Sequence, residues 1–231
     1  MSSARTRPCE EKIIQSTSLA VSRPADAKAW VLLASILASS VANIDESIVN
    51  VALPAIETDL ATSAVVVQWV VNAYTLCLSA LLLVGGTAGD QFGRRRFFIV
   101  GISIFAAASL WCGLASSLAQ LILARAAQGV GAALLVPSSL ALTGATFDET
   151  ERGKAIGTWA GASAVATAIA PLLGGWIVDH FSWRWIFLVN PLIALPTIWI
   201  AYDHVPENQS RVSTGVELSC CCWAWAVSHT D

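Results

Sequence analysis

Six long apolar runs constrain this 231-residue chain more than any motif within it. They cover Trp30–Leu53, Val65–Thr87, Phe97–Ser116, Leu118–Thr143, Ala155–Val178 and Trp185–Ala201, each close to the roughly 17–25 residues that cross a bilayer. In hydrocarbon every backbone N–H and C=O must find its partner inside the protein, so runs of this length fold as helices. Charged residues make up only 13% of the chain, where a soluble domain carries about 25%. The sequence therefore predicts an all-α membrane protein with six transmembrane helices over residues 29–203. Pro171 in the fifth span, and Pro191 and Pro196 in the sixth, do not argue against helix, because neighbouring groups and waters satisfy the freed carbonyls.

Between the second and third runs lies Gly85-Gly86-Thr87-Ala88-Gly89-Asp90-Gln91-Phe92-Gly93-Arg94-Arg95-Arg96. It reads as a tight, positively charged turn in which glycines let two helix ends approach. The pattern returns 89 residues later, with Gly174-Gly175, Asp179, Phe181, Arg184, Phe187 and Val189 repeating Gly85-Gly86, Asp90, Phe92, Arg95, Phe98 and Val100. With three spans between the copies, the two turns fall on opposite membrane faces. The six helices then form two inverted three-helix repeats, an arrangement found in secondary transporters.

Lysine and arginine in the short loops set the expected orientation. Arg5, Arg7, Lys12, Arg23 and Lys28 precede the first span, Arg94 to Arg96 follow the second, and Arg152 and Lys154 follow the fourth. Of the bases near the other ends, only Arg184 stands there. Both termini are expected in the cytoplasm. Residues 1–28 lack the run of about 7–15 apolar residues that a signal peptide needs, and read as a polar tail. Trp30, Trp69, Trp176, Trp183 and Trp185 sit where an interfacial belt would lie, with packing between helices as the other reading of any one of them. The six cysteines and three histidines show no metal or disulfide spacing, and no nucleophile motif or cofactor loop stands out. Neither an enzyme nor a nucleic-acid partner is expected.

The fifth span carries Gly157, Ala160, Gly161, Ala164, Ala168 and Ala170 at three- and four-residue spacing, ahead of Pro171, Gly174 and Gly175. Close helix packing is the ordinary meaning of such spacing in lipid; a gating hinge is the other.

Two groups inside the spans could carry chemistry. One is Asp45, with Glu46 and Asn50, in the first span; the other is Arg125 with Gln128 in the fourth. A charge in the bilayer is expensive and normally has a partner inside the bundle. Asp45 lies eight residues before Leu53, about 12 Å at 1.5 Å per residue, and Arg125 lies seven residues after Leu118, about 10 Å by the same rise. The two are therefore expected at one level. A carboxylate held between desolvation and an arginine can load and release a proton as water access changes. A structural ion pair pinning two helices is the competing meaning of the same residues.

Several stretches carry a resemblance. Gly86 through Arg95 is similar to the signature loop between helices two and three of the major facilitator superfamily. Arg125-Ala126-Ala127-Gln128-Gly129-Val130-Gly131-Ala132 resembles its helix-four arginine motif. Asp45 through Pro54, and Trp183 through Asn190, resemble motifs of its fourteen-spanner drug/proton antiporter branch; Ala170-Pro171-Leu172-Leu173-Gly174-Gly175 meets the helix-five motif in part, with Ala170 and Ala166 standing at two of its glycine positions. The resemblance covers roughly residues 30–207. It implies the N-terminal six-helix half of a proton-coupled exporter of drugs or other small molecules, in a bacterial inner membrane, with lipid, protons and a second helix bundle as partners. A non-transporting membrane fragment with a packing role is the alternative. The resemblance further implies a coupling path at Asp45, Arg125, Asn50 and Gln128, a cytoplasmic gate at Gly86, Asp90, Gly93, Arg94 and Arg95, and a hinge at Pro171, Gly174 and Gly175. Residues 204–231 read as a C-terminal tail; within it residues 213–231, with Cys220-Cys221-Cys222, match neither a polar linker nor a seventh span, and a reading frame lost near Gln209–Ser213 would account for them.

Overall fold

The computed structural model describes residues 25–205. Both ends of the chain outside that range, including the proposed frame change, lie outside the described residues. Among the described residues there are six long helices and no strand: α1 (Ala25–Asp59), α2 (Trp69–Phe92), α3 (Arg94–Gly113), α4 (Leu118–Thr146), α5 (Glu149–His180) and α6 (Arg184–His204). A one-turn helix, Ala64–Val67, leads into α2. Each long helix is long and apolar enough to cross a membrane, so the chain is an integral membrane protein. Pro54, Pro137, Pro171, Pro191 and Pro196 all lie inside unbroken helices.

Side-chain bonds show which helix ends share a side. At one end Lys28 at the start of α1 reaches Asp148 (3.0 Å) and Glu151 (2.9 Å) around the start of α5. Arg94 Nη1 donates to the carbonyl of Ala141 in α4 at 3.3 Å. Arg95 donates to the carbonyls of Ala201 and Tyr202 in the last turn of α6. At the other end Asp59 accepts from Arg184 (2.8 Å) and from the Trp183 indole (3.0 Å), and Arg184 reaches the Ala115 carbonyl at 3.4 Å. The two copies of the repeated pattern thus sit at opposite ends of the bundle, as their spacing predicts.

The signature stretch departs from the sequence reading. Helix α2 continues through Gly85, Gly86, Gly89 and Asp90 to Phe92, and the turn is the single residue Gly93. Gly93 has φ 111°, a backbone conformation that side chains strongly disfavour. The glycines upstream of it serve packing instead. Helix α4 runs through the middle of the bundle against α1, α2 and α3, and a Cβ on Gly131 would meet the Phe105 backbone N at 2.6 Å.

Three apolar clusters line the interior. One gathers Val31, Phe98, Ile102, Leu135 and Ala201 toward the Lys28 end. A middle one holds Val41, Tyr74, Phe105 and Ala132. The third gathers Ile48, Ile56, Leu121, Trp183 and Phe187 toward the Asp59 end. Trp183 is therefore a core residue, pulled inward by its bond to Asp59, while Trp30, Trp69, Trp176 and Trp185 are exposed as a belt requires. The small-residue stripe of α5 also departs from expectation. Gly157 and Gly161 have nothing within 4 Å of a Cβ position. Ala155, Ser163, Ala170 and Gly174 are the buried residues of that helix.

Candidate functional site

Between the middle cluster and the one toward Asp59, five helices close around a buried charge pair. Asp45 on α1 is 1% exposed and Arg125 on α4 is fully buried. Arg125 Nη1 meets Asp45 Oδ2 at 2.5 Å, so the two residues do lie at one level. The other carboxylate oxygen, Oδ1, accepts from Asn190 Nδ2 on α6 (2.6 Å) and from Gln128 Nε2 on α4 (2.9 Å). Gln128 stands one turn beyond Arg125 and also accepts from its Nη1 at 2.9 Å. Asp45 is thus paired and hydrogen-bonded on both oxygens, the condition under which a buried charge is tolerated.

Helix α3 supplies the outer support. Ser109 Oγ accepts from Asn190 Nδ2 at 2.9 Å and donates to the Phe187 carbonyl at 2.8 Å. The Cys112 thiol lies 3.6 Å from Gln128 Oε1. On the α2 side, Arg125 Nε donates to the Val70 carbonyl at 3.2 Å, and its guanidinium lies 4.2 Å over the Tyr74 ring. A planar cation over an aromatic face gains from the ring quadrupole, most when desolvated. Arg125 Nη2 has no hydrogen-bond partner among the described residues. In a bundle interior such a donor is a standing demand for an acceptor.

The structure gathers some of the sequence candidates and separates others. Asp45, Arg125 and Gln128 are in one cluster. Asn50 is not: it is exposed, and its Nδ2 donates to the Glu46 carbonyl of its own helix at 2.9 Å. Five residues along a helix turn it about 140° away from Asp45. Glu46 is half-buried and outside the cluster. Asp90 lies in the last turn of α2, its side chain outside the described part of the structure, and Gly86 lies in the same helix. Arg94 and Arg95 bind carbonyls of α4 and α6 within this bundle. Pro171 and Gly175 lie in continuous helix, and Gly174 is buried against Ile48, whose Cγ2 would be 2.9 Å from a Cβ at that position.

Sequence reading missed Asn190, Ser109, Cys112 and Tyr74 as members of the cluster. Asn190 had one usable signal, a carboxamide just before Pro191 in an apolar span; Ser109 and Cys112 look like any small residue in lipid. A second polar node was also missed. Ser39 Oγ lies 2.7 Å from Ser139 Oγ and accepts from the Trp159 indole at 3.0 Å, tying α1, α4 and α5 together.

The family model of the Major Facilitator Superfamily matches residues 35–225. The chain is 44% identical over 179 residues to a puromycin resistance protein of Streptomyces alboniger, covering 77% of this chain and 36% of that one. It is 40% identical over 177 residues to the multidrug resistance protein Stp of Mycobacterium tuberculosis, covering 76% and 33%. The chain thus spans about a third of the length of these relatives. Its fold is similar to that of a proton:xylose symporter, with TM-score 0.71 at 16% identity over 80% of this chain and 46% of the other. A peptide transporter matches equally well, with TM-score 0.71 at 13% identity over 93% and 47%.

Proposed function

We propose, since this chain belongs to the Major Facilitator Superfamily, that its bundle serves proton-coupled export of drug-like small molecules, with Asp45 as the proton-binding carboxylate. The observation that carries this reading is the Asp45–Arg125 pair, buried between α1 and α4 and bridged by Gln128 and Asn190. A carboxylate so held has two available states. Ionised, it is bound to Arg125 and the two carboxamides; protonated, it loses the charge that holds Arg125, and the guanidinium is left with Gln128, the Val70 carbonyl and the Tyr74 face. A proton arriving at Asp45 thereby changes which partners α4 can hold, and this is the two-state element that coupling requires. The antibiotic-resistance and multidrug-resistance relatives favour an exported organic substrate over a sugar or peptide. The loop arginines favour the Lys28 end as the cytoplasmic one in a plasma membrane. Arg94 and Arg95 brace α4 and α6 at that end, where a second helix bundle would close against them.

The test is drug-driven proton movement in vesicles, using this chain and a chimera that joins residues 1–205 to the C-terminal helices of the puromycin resistance relative. Asp45→Asn is expected to abolish proton counterflow while substrate binding persists, because the amide resembles the protonated acid. Proton-coupled transport at an undiminished rate in the Asp45→Asn chimera would overturn the assignment.

A further inference from the structure

We propose that Asn190 is a positioning residue whose carboxamide turns over with the protonation state of Asp45, carrying that state from α1 to the contact between α3 and α6. The inference rests on the reading of Asp45 as the proton-binding carboxylate. Every polar atom that meets the carboxylate is a donor: Arg125 Nη1 on Oδ2, and Asn190 Nδ2 and Gln128 Nε2 on Oδ1. Such a shell suits the ion and offers a carboxylic acid no acceptor for its own proton. Gln128 cannot supply one, because its Oε1 already accepts from Arg125 at 2.9 Å and faces the Cys112 thiol. Asn190 can. Its NH2 end holds Asp45 at 2.6 Å and Ser109 at 2.9 Å, and its carbonyl Oδ1 accepts from no described residue.

The direction of this chain of bonds is fixed at its far end. Phe187 lies four residues before Pro191, which has no N–H to give to the Phe187 carbonyl. Ser109 of α3 donates to that carbonyl instead, at 2.8 Å. A hydroxyl has one hydrogen, so Ser109 Oγ can only accept from Asn190 while the carbonyl holds it. A proton added to Asp45 Oδ1 reverses the order. A half-turn of the Asn190 carboxamide sets its oxygen where Nδ2 stood, accepting from the acid on one side and from Ser109 on the other. The unpartnered end of the amide is then NH2 rather than oxygen, and the Phe187 carbonyl loses its donor. Gln128 Nε2 still reaches Ser109 Oγ, at 3.4 Å. The only new covalent bond is O–H on Asp45. Protonation on α1 thus undoes the hydroxyl tie between α3 and α6. The other titratable groups near this level are Glu46, Tyr74, Cys77 and Cys112, and those of α5 and α6 stand at the helix ends.

The experiment is isotope-edited infrared difference spectroscopy of the full chain in lipid vesicles, titrated from neutral to acid pH. Asparagine carries heavy carbon at its side-chain carbonyl in one sample, and phenylalanine carries it at the backbone carbonyl in another. A carboxylic C=O band that appears on acidification in the native chain, and not in Asp45→Asn, reports the proton on Asp45. With the same midpoint, an asparagine side-chain carbonyl is expected to shift to lower wavenumber as it gains two donors. A phenylalanine carbonyl is expected to shift to higher wavenumber as it loses one. The first shift is expected to vanish in Asn190→Leu, the second in Ser109→Ala, and both in Asp45→Asn. Ser109→Ala and Asp45→Asn assign the bands between them, so the result does not hang on the folding of Asn190→Leu. An Asp45 acid band that is not accompanied by both carbonyl shifts overturns the proposal and leaves the proton-binding role of Asp45 standing. Absence of the acid band overturns both.

Discussion

Helices α4 and α5 are alike in length and apolar character, yet they are used in opposite ways. Fourteen of the 29 residues of α4 are buried, and four of the 32 in α5. Both carry glycines, but Gly129 and Gly131 of α4 press against backbone of α2 and α3, while Gly157 and Gly161 of α5 face open space. In lipid, hydropathy does not decide which helix is central, since a tail of hydrocarbon is as apolar as leucine. What separates the two is polar content that needs partners. Arg125 and Gln128 draw α1, α2, α3 and α6 around α4, and α5 has no such residue in the cluster.

That contrast can be broken most severely at Arg125. Arg125→Ala leaves the Asp45 carboxylate buried without its cation and is expected to cost about 3–5 kcal/mol, read as the loss in unfolding free energy on denaturant titration in mixed micelles. A loss below about 1 kcal/mol would mean that the pair does not organise the centre. Gly131→Val comes next. Its side chain would enter the Phe105 backbone, and overpacking of this kind costs about 1–3 kcal/mol in the same titration. Asn190→Ala removes a donor to the carboxylate and to Ser109; membrane cycles of such bonds average about 0.6 kcal/mol and reach about 1.7. The smallest effect belongs to Gly161→Val, expected within about 0.5 kcal/mol of zero because nothing lies near its Cβ. A large loss there would show that the stripe is packed after all.

The fold was legible in the sequence because six long apolar runs and a repeated turn leave few architectures to a chain in lipid. Asp45, Arg125 and Gln128 were legible for a related reason: a charge inside an apolar span must have a partner, and two depth estimates from opposite helix ends agreed. Asn190 and Ser109 were not, since an uncharged polar residue in a membrane helix costs little wherever it points, and only packing decides whether it faces the carboxylate. Asn50 was grouped with Asp45 by proximity along the chain, but helical rotation carries it to another face. The stretch from Gly85 to Phe92 was read as a turn because glycines mark turns; here most of them admit neighbouring backbone, and Gly93 alone reverses the chain. Small residues in α5 were read as packing; Ala170 and Gly174 do pack within this bundle, while Gly157 and Gly161 face open space.

One more consequence follows from the ion pairs at the two ends. Lys28 fastens the beginning of α5 to α1, and Asp59 fastens the residues just past its end to the same helix through Arg184 and Trp183. Helix α5 is therefore a beam pinned at both supports, with a span of glycine and alanine that nothing braces along its free side. A beam held this way does not swing outward like a door. It bows at mid-length or turns together with α1, so any force applied to its open side is delivered to α1, the helix that carries Asp45.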